Sequence, residues 1–250
     1  MSGVITWINL LAIAFAIYIG YKYTEEYFES FEIPMIFAGL ALFFAVLHYL
    51  LAEQLPENDS AQNFRALIIN GFVSLRNGLL ATVGWVLITK DTKNANGRST
   101  WKLKKRILGV DLRFVLIWSS AYAAWTFILF GGIVKPVNQL RMPIDRIFDS
   151  ISASLHAAVA EELFFRLFVI GILIRLAKRI KPRWIIAILI SGIYWSLNHM
   201  SAFDPGWVKF IHVFPISIVL GTCLQRYGFE TCVMLHILSN LAGFIVIAFI

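Results

Sequence analysis

Residues 114–134 read FVLIWSSAYAAWTFILFGGIV, a run without a single charged side chain. An α-helix of about 20 apolar residues is long enough to cross the hydrocarbon core of a bilayer. Apolar and polar residues do not alternate in this run, whereas the strands of a membrane β-barrel require that alternation. The run therefore predicts a transmembrane helix.

The rest of the chain repeats this pattern. Of its 250 residues, 59% are hydrophobic and 15% are charged, and the mean hydropathy is +0.74; a soluble domain carries about 25% charged residues. We predict an all-α fold, a polytopic transmembrane helical bundle of about eight spans. The first apolar block lacks the basic leader of a signal peptide and is interpreted as a retained span. The predicted spans are 4–21, 33–52, 66–88, 114–134, 157–176, 184–203, 208–224 and 231–250.

Two loops carry most of the basic charge. Residues 90–109 contain seven Lys or Arg and residues 175–183 contain five. In an eight-span chain both loops fall on one side of the membrane, and an excess of basic residues marks that side as cytoplasmic. Basic loops also explain the net charge of +7, so the bilayer is the expected partner and no nucleic acid is expected.

Glu161, Glu162 and Arg166 lie well inside the predicted span 157–176. Charges at this depth cost several kcal/mol each and usually mark function. Glu162 and Arg166 are four residues apart and share a helix face, so Arg166 is expected to neutralise and orient Glu162. Glu161 points about 100° away and remains available as a general base. A plain salt bridge between helices is the alternative interpretation of this motif taken alone.

Two later spans carry further polar groups at helical spacing. His199 follows Trp195 by four residues, and Asn240 follows His236 by four. An imidazole and a carboxamide on one helix face can aim their donors at a single oxygen, which is the arrangement that stabilises an oxyanion. Hydrogen bonds between helices are the alternative interpretation of each pair.

The other histidines and the two cysteines have no comparable partner at helical spacing. His48 and His212 are interpreted as packing or interface residues. His156, shortly before the glutamate pair, is kept as an accessory candidate. Cys223 and Cys232 are interpreted as small apolar helix residues.

Three motifs in fixed order carry a resemblance to a known family. EELFFR (161–166) fits EExxxR, WSLNH (195–199) is close to FxxxH, and HILSN (236–240) fits HxxxN. Together they resemble the CAAX protease and bacteriocin-processing family of intramembrane endopeptidases, also called the Abi or lysostaphin-resistance-protein-A-like family. The likeness covers roughly residues 147–243. One departure is Trp195, where the family usually has Phe.

The resemblance implies an enzyme that hydrolyses a peptide bond of a membrane-associated protein or peptide. Glu161, helped by His199, would act as general base on a water molecule, while His236 and Asn240 would stabilise the oxyanion. The remaining residues of the first motif would shape and support the site. The residues so implied to be catalytic are Glu161, Glu162, Arg166, His199, His236 and Asn240.

A metal-assisted version is left open. The family is also described as metalloproteases, which implies a zinc ion held by some of Glu161, His199 and His236. The chain has no HExxH motif, so such ligands would come from three helices. The expected domains are residues 1–142, a four-span N-terminal region without recognised motif, and residues 143–250, a CAAX-protease-like catalytic domain. The expected location is the plasma membrane of a prokaryote.

Two other functions compete with an endopeptidase. Glu and His inside spans also serve as relays in proton-coupled transporters, and a non-catalytic bacteriocin-immunity protein would use the same scaffold. A transporter is expected to show repeat symmetry in both halves of the chain. Here the polar motifs cluster in the second half, which favours the enzyme.

The depths of the motif residues present a difficulty. His199 lies sixteen residues after Arg183, whereas His236 lies only six after Glu230. On straight spans that begin at one membrane face, these histidines would be separated by more than about 10 Å. A kink at Pro215 or a turn that rises into the membrane is therefore expected.

Overall fold

The computed structural model describes residues 14, 18, 21–53, 60–96, 110–133, 147–203 and 205–249. Within these residues all regular structure is helical and no strand occurs, which confirms the predicted fold class. The helices are α1 (Thr24–Ala52), α2 (Ser60–Asn96), α3 (Leu112–Phe127), a π-helical segment (Ile128–Ile133), α4 (Ile147–Glu161), a second π-helical segment (Glu162–Val169), α5 (Ile170–Leu176), α6 (Arg183–Asn198), a 3-10 turn (Met200–Ala202), α7 (Gly206–Tyr227) and α8 (Phe229–Phe249).

Six of the described helices are long and apolar enough to cross a membrane. Their spans are Phe31–Ala52, Ser60–Lys90, Leu112–Gly132, Arg183–Ala202, Gly206–Tyr227 and Phe229–Ile247. The predicted span 4–21 lies mostly outside the described residues. The predicted span 157–176 is helical throughout but contains four charged residues. The protein is thus an integral membrane protein, and the number of eight spans stays a prediction.

Helix ends follow from local chemistry. Asp111 precedes α3, and its carboxylate accepts a hydrogen bond from the Phe114 backbone N–H at 3.0 Å. Gly228 joins α7 to α8 with φ at 97°, a left-handed conformation that glycine adopts without steric cost. The two helices therefore turn back on each other through one residue. α7 runs through Pro215 as one helix, so the chain reverses direction at Gly228 and not at Pro215.

The N-terminal helices pack directly on the helix that carries the glutamate pair. α1 lies against α2 and α4, and α2 lies against α5 and the segment Glu162–Val169. The contact with α2 is a backbone approach at Gly84, where a Cβ atom would overlap the Leu167 carbonyl. Gly171 faces the same point, since its Cβ would lie 2.6 Å from the Gly84 Cα. Glycine is required here because two helix backbones touch.

We expect Gly84→Ala to destabilise the protein by about 1–3 kcal/mol or more, because the added methyl group forces two helix backbones apart. Gly39→Ala is the matched control, since a Cβ at Gly39 meets nothing within 4 Å. That control is expected to be neutral or to gain up to about 1 kcal/mol from helix propensity. Thermal unfolding in detergent micelles measures both. Equal melting temperatures for the two variants would contradict the close approach.

Candidate active site

Side chains from α4, α6 and α8 meet at one cavity of about 450 Å³. Four of the six predicted site residues line this cavity: Glu161, His199, His236 and Asn240. The other two, Glu162 and Arg166, lie behind its wall with no exposed surface. The three motifs, which are up to 80 residues apart in the chain, are thus brought together in one place.

The glutamate pair lies where α4 changes into a π-helical segment. Glu161 is the last residue of α4, and Glu162 is the first residue of the wider helix. Short π-helical segments are rare and are frequent at functional sites. Side chains from neighbouring helices donate hydrogen bonds to two backbone carbonyls around this junction, those of Ala160 and Phe165. Asn77 of α2 donates its Nδ2 to the Ala160 carbonyl at 2.8 Å, and Ser191 of α6 donates its Oγ to the Phe165 carbonyl at 2.9 Å.

Glu162 is the centre of a buried polar cluster. Its Oε2 lies 3.3 Å from the Nε of Arg166, the partner that their spacing predicts. Its Oε1 lies 2.9 Å from the Nδ1 of His236, and Cys232 donates its Sγ–H to Oε2 at 2.8 Å. A carboxylate only accepts hydrogen bonds, so Nδ1 of His236 carries a proton. Glu162 thereby turns the Nε2 of His236 towards the cavity. The interpretation of Cys232 as a purely apolar residue is wrong.

Glu161 faces the cavity, with 26% of its side chain exposed. Its Oε1 lies 3.6 Å from the Nε2 of His199, and its Oε2 lies 4.0 Å from the Nε2 of His236. The Nδ1 of His199 lies 2.8 Å from the Trp195 carbonyl, which only accepts, so the neutral ring keeps its lone pair on Nε2. Glu161 Oε1 and His199 Nε2 are thus two acceptors that face each other across a gap.

The separation of more than about 10 Å that straight spans would give the two histidines is not found. His236 Nε2 reaches 4.0 Å from Glu161, although α7 and α8 both lack a break. The expectation took Glu230 as a marker of the membrane face. Its neighbours Phe229 and Thr231 are fully buried, so α8 begins inside the bundle.

One side of the cavity consists of residues that the sequence analysis did not assign to the site. His212, interpreted as a packing residue, lines the cavity together with Tyr122 of α3 and Lys209. The two ring nitrogens of His212 lie 2.9 Å from the Thr126 hydroxyl and 3.4 Å from the Tyr122 hydroxyl. Lys209 precedes His212 by three residues, so the two share a face of α7. This spacing of three residues is the one feature of the sequence that could have indicated Lys209 and His212 as members of the site.

The other two histidines lie away from the cavity wall. His156 Nε2 is 3.1 Å from the Ser74 hydroxyl of α2, and His48 Nδ1 is 3.4 Å from the Ser152 hydroxyl of α4. These contacts join the N-terminal helices to α4. His156 thus makes a packing contact with α2, and its role as an accessory residue stays a prediction.

The side chains predicted to bind zinc are of the types that commonly bind this ion. A carboxylate and two imidazole Nε2 atoms are a common ligand set, and both rings have their Nδ1 bonded to an oxygen, as in many zinc sites. Among the described residues, however, no group of three His, Cys, Asp or Glu is arranged to hold a metal ion without movement. A metal-assisted site stays a prediction.

Asn77 supports the turn that presents the glutamates, and its loss is expected to destabilise the protein. Asn77→Leu would leave the buried Ala160 carbonyl without its donor, at a cost of about 1–3 kcal/mol. Asn198→Leu is the matched control, because Asn198 is exposed and bonds only a carbonyl of its own helix, that of Tyr194. Thermal unfolding in micelles compares the two. A larger loss of stability in the control would contradict this role.

Comparisons with known proteins agree with the motifs. Residues 143–242 match the family model of the Rce1-like, type II CAAX prenyl endopeptidases. The chain is also similar to the sporulation-killing factor biosynthesis protein SkfC of Bacillus subtilis (strain 168), with 26% identity over 92 residues. That match covers 36% of this chain and 18% of SkfC, so the chain spans about a fifth of its relative. No solved structure matches the chain.

These matches confirm the resemblance to the CAAX protease and bacteriocin-processing family. All three motifs, and every residue predicted for the site, lie within the matched residues 143–242. The matched family is described as type II CAAX prenyl endopeptidases, and the match covers less than half of this chain.

Proposed function

We propose that this protein is an intramembrane endopeptidase that hydrolyses a peptide bond with water activated by Glu161 and His199. One observation carries the proposal: a partly exposed carboxylate and two imidazoles from three different helices converge on one cavity in an otherwise apolar bundle. Ionisable groups are costly in a membrane and are retained for function.

The gap between Glu161 and His199 suits a water molecule. Both groups are acceptors and their atoms lie 3.6 Å apart, so a water at about 2.8 Å from each donates one hydrogen to each. The two lone pairs of its oxygen then point away from both acceptors, into the cavity. As the water oxygen bonds to the carbonyl carbon of the substrate, Glu161 takes one of the water protons.

His236 and Asn240 support the negative charge that forms on the carbonyl oxygen. With Nδ1–H bound to Glu162, the ring of His236 presents Nε2 to the cavity, and Nε2 donates to the oxyanion once it has taken up a proton. Asn240, one turn further along α8, adds its carboxamide N–H to the same oxygen. When the C–N bond breaks, the proton held by Glu161 passes to the leaving nitrogen, and the carboxylate is restored.

A metal-assisted form of the same reaction uses the same side chains. Glu161, His199 and His236 would hold the ion, and a bound zinc would supply Lewis-acid activation of water. The buried pair Glu162 and Arg166 keeps its role in either form, because it fixes the ring of His236.

The proposed substrate is a peptide or protein that reaches the cavity from the membrane. SkfC is named for the biosynthesis of a sporulation-killing factor, and the substrate class that we propose is a membrane-associated peptide or protein. The proposed location is the plasma membrane of a prokaryote, which fits the six candidate membrane spans and the bacterial origin of SkfC. The cavity of about 450 Å³ has room for a segment of a few residues and not for a folded domain.

The test is an assay of the purified full chain in lipid nanodiscs against a library of membrane-associated peptides, read by mass spectrometry. We expect products that result from hydrolysis of one internal peptide bond. A folded protein that cleaves no member of the library would contradict the proposal. A parallel series with a chelator, followed by added zinc, separates the two forms: activity lost and then restored supports the metal-assisted form, and unchanged activity supports the metal-free form.

A further inference from the structure

We propose that Trp195 is a positioning residue that fixes the general base by a hydrogen bond from its indole N–H. The Nε1 of Trp195 lies 2.6 Å from the Oε2 of Glu161. An indole N–H can only donate, and a carboxylate can only accept. Hydrogen bonds to ionised groups are short and about twice as strong as those between neutral groups.

The indole is itself held in place from several sides. Trp195 is 3% exposed, so water does not compete for its N–H. Its ring makes edge contacts with the rings of His199 and His236, at centroid distances of 4.7 Å and 5.4 Å. The guanidinium of Arg166 lies over the same ring at 5.0 Å, in a position for a cation–π interaction. Trp195 thus contacts a member of each of the three motifs.

This arrangement assigns different tasks to the two oxygens of Glu161. Trp195 occupies Oε2, so Oε1 is the oxygen left to face His199 across the gap for water. The backbone carbonyl of Trp195 also fixes the His199 ring through Nδ1. A phenylalanine at position 195 would keep the aromatic packing but would lack the N–H. The tryptophan of this chain therefore adds a bond to the base that a phenyl ring cannot make.

The first test reads the hydrogen bond directly and does not depend on catalysis. In the full chain labelled with ¹⁵N-tryptophan in detergent micelles, the indole N–H signal of Trp195 is the one missing from Trp195→Phe. We expect this signal to lie downfield of the other indole signals and to move upfield in Glu161→Ala. Asn240→Ala, which changes the same cavity, should leave it in place. A Trp195 signal that Glu161→Ala does not move would overturn the proposal.

The second test reads the consequence for catalysis and rests on the proposed function. We expect Trp195→Phe to lower kcat roughly tenfold to a hundredfold with KM changed by less than about twofold. Replacement by benzothienylalanine, which keeps the shape of the indole but has no N–H, should give the same loss. Wild-type kcat with this analogue would overturn the proposal, since packing alone would then account for Trp195. If the wild-type protein cleaves no peptide, the proposed function fails and the NMR result alone decides this inference.

Discussion

Glu161→Gln is expected to reduce the rate of peptide cleavage roughly a hundredfold to ten-thousandfold, because a carboxamide cannot accept the proton of the attacking water. Glutamine has nearly the same shape and still accepts a hydrogen bond from Trp195, so the fold should persist. The measurement is kcat for the purified variant in nanodiscs, together with its melting temperature.

The control for this substitution is Glu25→Gln, which makes the same chemical change on an exposed position of α1. We expect wild-type kcat from the control. Wild-type activity in Glu161→Gln would remove the general base from the proposed reaction. A parallel loss in Glu25→Gln would show that the assay responds to something other than the cavity.

Arg166→Met is expected to cost about 3–5 kcal/mol of stability, the largest effect on folding among these predictions. Arg166 and Glu162 are both fully buried, with Nε and Oε2 at 3.3 Å. Removing the cation leaves a buried carboxylate without its balancing charge, which is far more costly than removing both charges. The measurement is the thermal unfolding of the variant in micelles.

The double variant Glu162→Gln with Arg166→Met is the matched control, because it removes the pair and leaves no unbalanced charge. We expect it to regain at least half of the lost stability while cleavage stays low, since the neutral amide holds His236 less firmly. A double variant that is less stable than Arg166→Met would contradict the charge-balance explanation.

The sequence predicts those parts of the site that depend on spacing within one helix. The apolar runs predict the helical fold, and the spacing of four residues predicts the contact of Glu162 with Arg166. The same spacing places His199 beside Trp195. Such contacts follow from helix geometry alone, so neighbouring helices are not needed to find them.

Contacts between helices are the part that the sequence does not predict. Asn77 lies 83 residues before Ala160, and Cys232 lies 70 residues after Glu162. No short sequence pattern predicts contacts between residues so far apart in the chain. The π-helical segment is equally hard to predict, because the side chains that bond the carbonyls of Ala160, just before it, and Phe165, within it, come from α2 and α6.

The depth of His236 shows how a local rule can fail. A charged residue near a helix start usually lies at the membrane face, and Glu230 was taken as such a marker. In the structure the turn at Gly228 is followed at once by buried residues of α8. The packing of α8 among the other helices brings His236 within 4.0 Å of Glu161.

The central claim is that Glu161 and His199 act together on one water molecule. The most direct test is a kinetic comparison of Glu161→Gln, His199→Ala and the double variant, each checked for folding. Because both groups serve one water, we predict that the double variant keeps about the rate of the slower single variant. Independent effects that multiply in the double variant, or full activity in either single variant, would contradict the claim.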